Sequence, residues 1–137
     1  MKWLLDNNVF FPLVNCSHSE HAATIAWFAK NKTDGWGVTV ETYLGCIRKL
    51  MNSKIMQGCP QNAKGAVTVA RAALGAPHNG KIIIGGQPDD ALMKKAQGHK
   101  QIMDFYLVQV ARDTGMKLAT RDTGILATFP AIAVYPS

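Results

Sequence analysis

Short apolar runs alternate along the chain with longer segments in which apolar residues recur every three or four positions. The short runs are typical of buried strands, and the longer segments are typical of helices that bury one face. Five strands are predicted in this way, at 2–5, 36–38, 81–84, 117–120 and 131–135. Because these runs are continuously apolar, they indicate an α/β fold with a mainly parallel sheet that is covered by helices on both faces.

Helical segments are predicted between the strands. They lie at 9–14, 17–31, 40–51, 63–74, 89–97 and 104–114. Periodicity alone does not separate helix from strand for the first of them. Ser17 and Glu20 have the spacing of a capping box for the second helix, and Thr39 is a candidate cap for the third. In the third helix the apolar positions share one stripe, which contains Val40, Leu44, Ile47 and Met51.

Length and composition favour one globular domain that spans residues 1–137. The chain is 47% hydrophobic and 18% charged, which is typical of a folded protein and not of a disordered one. No apolar run approaches the roughly 20 residues of a membrane helix, so no membrane association is expected. The opening of the chain does not resemble a signal peptide, and its cysteines Cys16, Cys46 and Cys59 form no CxxC pair. We therefore expect a cytoplasmic protein in a reducing compartment.

Charge points to a polyanionic partner. Fifteen basic residues against nine acidic ones give a net charge of +6. Such a surplus favours nucleic acid as a partner, although many basic proteins bind none. The positions of the few acids therefore matter more than the total.

Four of the acids are predicted to meet at one edge of the sheet. Asp6 and Asp122 directly follow predicted strands, Glu41 lies in the first turn of the helix after the second strand, and Asp104 opens a helix. In parallel sheets, functional groups gather beyond the carboxyl ends of the strands. Each acid taken singly is also explained as a turn former or as a residue that stabilises a helix dipole. Asp6 and Asp104, however, lie in otherwise apolar sequence, where a carboxylate is costly unless it is paired or bound to a cation.

A cluster of carboxylates has a definite chemistry. The charges repel one another, so their pKa values should rise unless a divalent cation is bound. Oxygen ligands suit Mg²⁺ or Mn²⁺, and such an ion activates water and neutralises phosphate charge. A carboxylate site of this kind in a basic protein indicates a phosphodiesterase that acts on nucleic acid.

Four segments also carry a resemblance to a known family. They are LLDNNV at 4–9, GVTVET at 37–42, GHKQIMDFYL at 98–107 and KLATRD at 117–122. The first resembles the opening of PIN-domain proteins, in which a strand ends in Asp-x-Asn, and the others resemble the second, third and fourth signatures of that family in the same order. The most similar group is the VapC-type toxins of bacterial toxin–antitoxin pairs.

This resemblance implies a Mg²⁺- or Mn²⁺-dependent endoribonuclease with a PIN-like three-layer fold. It further implies a homodimer that a cognate antitoxin holds inactive. The acidic site carried over to this chain is Asp6, Glu41, Asp104 and Asp122, with Asp6, Asp104 and Asp122 as metal ligands. Asn8 and Thr120 are implied as polar supports near the metal.

The chain departs from the family pattern at two positions. Phe105 stands where an Ala commonly follows the third acidic residue, and Arg121 stands where the family often has an aromatic residue. Neither change removes a ligand. For Arg121 two interpretations stay open, a contact with an RNA phosphate or a solvated side chain.

A catalytically silent module that binds RNA or an antitoxin is the main alternative. A flavodoxin-like regulatory domain is disfavoured, because this chain lacks the Asp-Asp pair near the first strand and the lysine after a later strand that are expected in such a domain. Cys16, His18 and His21 have no convincing fourth partner for zinc.

The helices at 17–31 and 40–51 carry more apolar surface than one small core needs, which predicts a twofold dimer. The residues behind that expectation are Trp27, Phe28, Tyr43 and Met51.

Overall fold

The computed structural model describes residues 1–137 and has an α/β architecture, as expected. Its five strands are β1 (Trp3–Leu5), β2 (Trp36–Thr39), β3 (Lys81–Ile83), β4 (Lys117–Ala119) and β5 (Ala133–Val134). Its seven helices are α1 (Asn7–Val14), α2 (His21–Asn31), α3 (Val40–Leu50), α4 (Ala63–Leu74), α5 (Asp90–Met93), α6 (Gln101–Thr114) and α7 (Thr123–Thr128). A single 3-10 turn, Lys32–Asp34, connects α2 to β2.

The strands form one sheet in the order β3-β2-β1-β4-β5, and every pairing is parallel. Strand β1 is therefore central, with Leu4 opposite Gly37 of β2 and Leu118 of β4. The chain builds outward from β1 to β3 on one side and then crosses to β4 and β5 on the other. The order reverses between β1 and β4, and ligand sites of parallel sheets lie at such a reversal.

Residues of β1 alternate between two apolar layers. Trp3 and Leu5 pack with residues of α1 to α4 on one face of the sheet. Leu4 packs on the other face with residues of α6 and α7 and with Leu118 of the neighbouring strand. Because both faces are covered, the strands are continuously apolar, which is the feature that predicted a parallel sheet.

The structure corrects two predicted helix features. Ser17 caps nothing: α2 begins at His21, and Glu20 is its cap residue without a side-chain bond. The stripe predicted for α3 is wrong in part. Ile47 packs against the core, but Leu44 is 52% exposed, and the buried residues of α3 include Thr42, Tyr43 and Cys46. Neighbouring helices decide which face is covered, and α3 packs on α1 and α4 through its less obviously apolar side.

This packing buries most of the apolar residues from which a dimer was predicted. Trp27, Phe28 and Tyr43 are buried within the core of one chain, so they form no outer surface. The apolar residues that α3 leaves uncovered are Leu44 and, just past its end, Met51. The prediction of a dimer therefore rests on this exposed pair.

Three further differences concern element ends. Helix α6 begins at Gln101, so Asp104 lies in its first turn instead of opening it. Helix α5 is shorter than predicted, and α7 was not predicted at all.

None of the helices is both long and apolar enough to cross a membrane.

Candidate active site

The carboxyl ends of the three central strands supply most of the candidate site residues. Asp6 follows β1 and caps α1, with its side chain accepting from the Asn7 N–H. Thr39 ends β2 and caps α3, as expected, which puts Glu41 in the first helical turn. Thr120 follows β4, and Asp122 caps α7 by accepting from the Ile125 N–H. Each acid is thus held by the start of the helix that follows its strand.

A cleft of about 190 Å³ opens at this edge of the sheet. Asp6, Glu41 and Asp104 all line it, so three of the four predicted acids share one cavity. The other lining residues are Asn7, Thr39, Thr42, Met103, Tyr106 and Leu107. Asp122 is not in the lining, although its charge acts on Asp6 and Asp104.

Asp6 is held by bonds to both of its oxygens. Its Oδ1 accepts from the Asn7 N–H at 2.6 Å, and its Oδ2 accepts from the Thr120 hydroxyl at 2.7 Å. Thr120 is fully buried and in turn accepts from Asn8 Nδ2 at 3.3 Å and from the Asp122 N–H at 3.0 Å. The side chains of Asn8 and Thr120, predicted as polar supports, therefore connect Asp6 to the turn that bears Asp122.

Burial and charge repulsion perturb two of the acids. Burial raises the pKa of Asp6 above its ordinary value; the bonds from Thr120 and Asn7 oppose that rise, and the Asp122 charge adds to it. Burial also raises the pKa of Asp104, and the charges of Asp122 and Asp6 raise it further. These effects are the expected result of bringing partly buried carboxylates near one another.

No basic side chain forms an ion pair with these acids, although the charge of Lys49 opposes the rise in the pKa of Asp6. The carboxylates that form ion pairs are Glu20, Asp34, Asp89 and Asp113. The other five carboxylates form no ion pair. Four of them are the predicted site acids, and the fifth is the exposed Asp90. A chain with fifteen basic residues thus leaves its clustered carboxylates unpaired. Such a site has an excess of negative charge that favours binding of a cation.

The oxygen donors fit a hard divalent cation, although they do not form a closed set. No three His, Cys, Asp or Glu side chains lie close enough together to enclose an ion. Asn7 lines the cleft, and its buried Oδ1 has no hydrogen-bond partner. Carboxylate and amide oxygens are the ligands that Mg²⁺ and Mn²⁺ prefer, and Mg²⁺ usually keeps several waters. A site in which protein oxygens fill only some of the coordination positions is therefore compatible with Mg²⁺.

Curated relatives cover nearly the whole chain. Ribonuclease VapC38 of Mycobacterium tuberculosis is 32% identical over 123 residues, which are 89% of this chain and 86% of that protein. The chain belongs to the VapC family of ribonucleases. Ribonuclease VapC39 of the same species is 29% identical over 134 residues, which cover 91% of this chain and 91% of that protein. Ribonuclease VapC29, also of that species, is 28% identical over 134 residues, which cover 98% of this chain and 96% of that protein. No family profile matches the chain.

The first departure from the VapC pattern lies outside the cleft. Phe105 is buried, and its ring packs edge-to-face on Phe129 with the centroids 5.1 Å apart. It is the next residue along α6 from Asp104 but does not line the cavity. The bulky side chain is therefore accommodated in the packing between α6 and the C-terminal segment.

The second departure, Arg121, is engaged within the protein. Only 11% of its side chain is exposed, and its guanidinium donates to the Asn8 carbonyl and to the Thr24 hydroxyl. Its backbone N–H also donates to Asn8 Oδ1 at 3.0 Å. These contacts connect the VapC-type fourth motif to α1 and α2.

Sequence reasoning missed several residues of the site. Asn7 directly follows Asp6, and Tyr106 lies two residues after Asp104, so the nearby acids were a usable signal. Tyr106 lines the cleft and donates to the Gly86 carbonyl at 2.8 Å, which ties the loop after β3 to α6. Thr24 lies in a helix between alanine and isoleucine and gave no local sign of its contact with Arg121.

Proposed function

We propose that this protein is an endoribonuclease that cleaves RNA by attack of water and that it is the toxin of a toxin–antitoxin pair. The observation that supports this most directly is the cleft in which Asp6, Glu41 and Asp104 form no ion pair. Membership of a family whose curated members are named ribonucleases assigns the polyanion as RNA. We further propose that residues 1–137 act as a single PIN-like domain.

In this proposal Asp6, Asp104 and Asp122 would supply carboxylate oxygens to Mg²⁺ or Mn²⁺. When bound, the ion supplies charge stabilisation for the phosphate and lowers the pKa of water. Glu41 also lines the cleft, and it positions the attacking water or contacts the ion through water. The Thr120 hydroxyl and Asn8 keep the Asp6 carboxylate aimed into the site.

The bonds that change are those at one phosphorus. The water oxygen forms a bond to phosphorus, the bond from phosphorus to the ribose 3′-oxygen breaks, and that oxygen takes up a proton. The products carry 5′-phosphate and 3′-hydroxyl ends. A cyclic 2′,3′-phosphate would show instead that the ribose 2′-hydroxyl is the nucleophile.

We propose that RNA binds chiefly through its backbone. A net charge of +6 is carried on a protein whose clustered acids occupy one cleft, so the remaining surface is strongly basic. Affinity that comes from phosphate contacts falls steeply between about 50 and 200 mM salt. A flat salt response would contradict this mode of binding.

A cognate antitoxin and a second copy of the chain are the proposed protein partners. The family resemblance implies the antitoxin. The exposed pair Leu44 and Met51 on and beside α3 supports a homodimer. We propose the cytoplasm as the compartment, because the RNA substrate is found there and the three cysteines are unpaired thiols.

A matched pair of variants tests the activity. Asp104 and Asp90 both lie in the first turn of a helix, and neither forms an ion pair. Only Asp104 lines the cleft. In Mg²⁺ or Mn²⁺, Asp104→Asn should lower the rate of RNA cleavage by roughly a hundredfold or more, because several kcal/mol of charge stabilisation are lost. Asp90→Asn should cleave at the wild-type rate, and EDTA should stop the wild type.

Two outcomes would contradict the proposal. If the wild type cleaves RNA at an unchanged rate in EDTA, the reaction does not require a divalent ion. A wild type that binds RNA but does not cleave it in either metal would identify a silent RNA-binding module instead. Thermal melts of both variants establish that any loss occurs in folded protein.

A further inference from the structure

Helix α1 contains Pro12, which lies four residues after Asn8. The side chain of Asn8 contacts Thr120 in the candidate active site. An α-helical N–H bonds to the carbonyl four residues earlier, and proline has no N–H. Pro12 therefore leaves the carbonyl of Asn8 without its helical donor. That carbonyl lies two residues beyond Asp6, next to the candidate active site.

Arg121 supplies the missing donor. Its Nη1 donates to the Asn8 carbonyl at 2.9 Å, in the place of the absent Pro12 N–H. The backbone N–H of the same arginine donates to Asn8 Oδ1, so one residue binds both the main chain and the side chain of Asn8. Asn8 in turn contacts Thr120, which binds Asp6.

Helix α2 holds the guanidinium in this position. Nη2 donates to the hydroxyl of Thr24 at 2.8 Å, and the Glu20 carboxylate lies 3.6 Å from Nε. Thr24 is fully buried, although its neighbours along the helix are exposed. Its hydroxyl also donates to the Glu20 carbonyl at 2.7 Å, which fixes the orientation that accepts from Arg121.

We propose that Arg121 is a positioning residue: it fixes Asn8 and the turn at 120–122 against α2 and so sets the geometry of Asp6 and Asp122. This inference rests on the proposed ribonuclease function. It replaces the open choice between an RNA contact and a solvated side chain. The planar guanidinium spans the Asn8 carbonyl and the Thr24 hydroxyl at the same time, which a lysine ammonium does with difficulty.

The first test separates positioning from RNA binding. For Arg121→Met, kcat should fall at least about tenfold while KM stays within about twofold, since geometry is lost and phosphate contacts are kept. Arg121→Lys retains the charge and should recover only part of kcat. Lys30→Met, which removes an exposed charge from the last turn of α2, should change neither constant. A rise in KM with a smaller salt slope for Arg121→Met would show that Arg121 contacts phosphate and would overturn the inference.

The second test uses a residue that RNA cannot reach. Thr24→Val removes only the buried hydroxyl that receives the guanidinium and should lower kcat in the same way as Arg121→Met, though less. Thr68→Val is the control, because the Thr68 hydroxyl makes the same backbone bond, to the Lys64 carbonyl at 2.9 Å, on the exposed side of α4. Equal rates for wild type, Thr24→Val and Thr68→Val would contradict the proposal.

A third measurement does not depend on cleavage. The Arg121 and Asp122 amides bond to Asn8 Oδ1 and to the Thr120 hydroxyl. In Arg121→Met and Thr24→Val these amides should exchange with solvent at least about tenfold faster, while amides of α4 keep their wild-type rates. If the wild type cleaves no RNA, the proposed function fails and this exchange still tests the positioning. Unchanged exchange in both variants would overturn the positioning alone.

Discussion

Asp6 and Thr120 lie 114 positions apart in the sequence and are joined by a 2.7 Å hydrogen bond. The hydroxyl donates to Oδ2 of the carboxylate, and the Thr120 side chain is completely buried. The bond connects the carboxyl ends of β1 and β4, which are the two strands between which the sheet order reverses. A carboxylate of raised pKa is thus fixed at the point where parallel sheets bind ligands.

Thr120→Val removes this bond and is expected to change both pH dependence and stability. Without the donated hydroxyl, the pKa of Asp6 should rise further, so the acid limb of the cleavage rate should move to higher pH. The Asp122 N–H also loses its acceptor, which should lower the free energy of unfolding by about 1–3 kcal/mol. Thr120→Ser keeps the hydroxyl and is the control. An unchanged pH profile in Thr120→Val would show that the bond does not tune Asp6.

Asp6→Asn is expected to change how the metal-free protein responds to pH. The pKa of Asp6 is higher in the folded protein than its ordinary value of 3.8, so the folded state holds the proton more strongly than the unfolded state does. Ionisation of Asp6 therefore destabilises the wild type as pH rises from that value through the raised pKa. The unfolding free energy of the wild type, minus that of Asp6→Asn, should fall across this window and then level off.

Denaturant titrations in EDTA at a series of pH values measure this difference. The variant should fold, since asparagine also caps helices well and can accept from the Asn7 N–H. Added Mg²⁺ should raise the melting temperature of the wild type more than that of the variant. A difference that grows with pH would mean that the fold stabilises the Asp6 anion, contrary to this account.

Asp122→Asn is expected to lower two pKa values at once. The Asp122 charge raises the pKa of both Asp6 and Asp104, so its removal should shift both downward. Carboxyl carbon NMR titrations of the metal-free protein would measure each group directly. Asp113→Asn removes a carboxylate that is paired with Arg112 and should leave both values unchanged. If only one of the two groups responds, the three acids do not form one electrostatic cluster.

Gln109→Leu is expected to destabilise the fold. Gln109 is buried in α6, where its Oε1 accepts from the Asp89 N–H at 2.8 Å and its Nε2 donates to the Gln87 carbonyl at 2.8 Å. Leucine leaves both backbone groups unpaired, which should lower the free energy of unfolding in urea by about 1–3 kcal/mol. Gln101→Leu provides the comparison, because its bond to the Gln97 N–H is exposed and water replaces it. Equal stability of the two variants would count against this account.

Leu44→Lys is expected to separate the proposed dimer. Leu44 is the more exposed of the two apolar residues that support the dimer, and a lysine in the centre of such an interface adds an unpaired charge. Sedimentation at tens of micromolar should give a dimer for the wild type and a monomer for the variant. Val67→Lys, at an exposed aliphatic residue of α4, should remain dimeric. A wild type that sediments only as a monomer would rule out the dimer.

Local patterns in the sequence predicted the five strands, every helix except α7, and the order of the acids. Apolar runs predicted all five strands to within two residues at each end, because a strand covered on both faces has no polar positions. Thr39 was predicted to cap α3, since its hydroxyl reaches only three residues along the chain. The sequence likewise predicted that Asp6, Glu41, Asp104 and Asp122 meet, because parallel strands bring their carboxyl ends to one edge. Three of them line one cleft, and Asp122 is outside its lining.

Tertiary packing alone decided the contacts that connect distant segments. The periodicity of α3 contains two usable faces, and its neighbours α1 and α4 cover the one that includes Tyr43 and Cys46. Pro12 frees a carbonyl that only a donor from elsewhere can satisfy, and Arg121 reaches it across 113 positions of sequence. Capping and periodicity act over three or four residues, so they predict elements. The partner of a buried polar group depends on which elements pack together, and only the folded chain determines that.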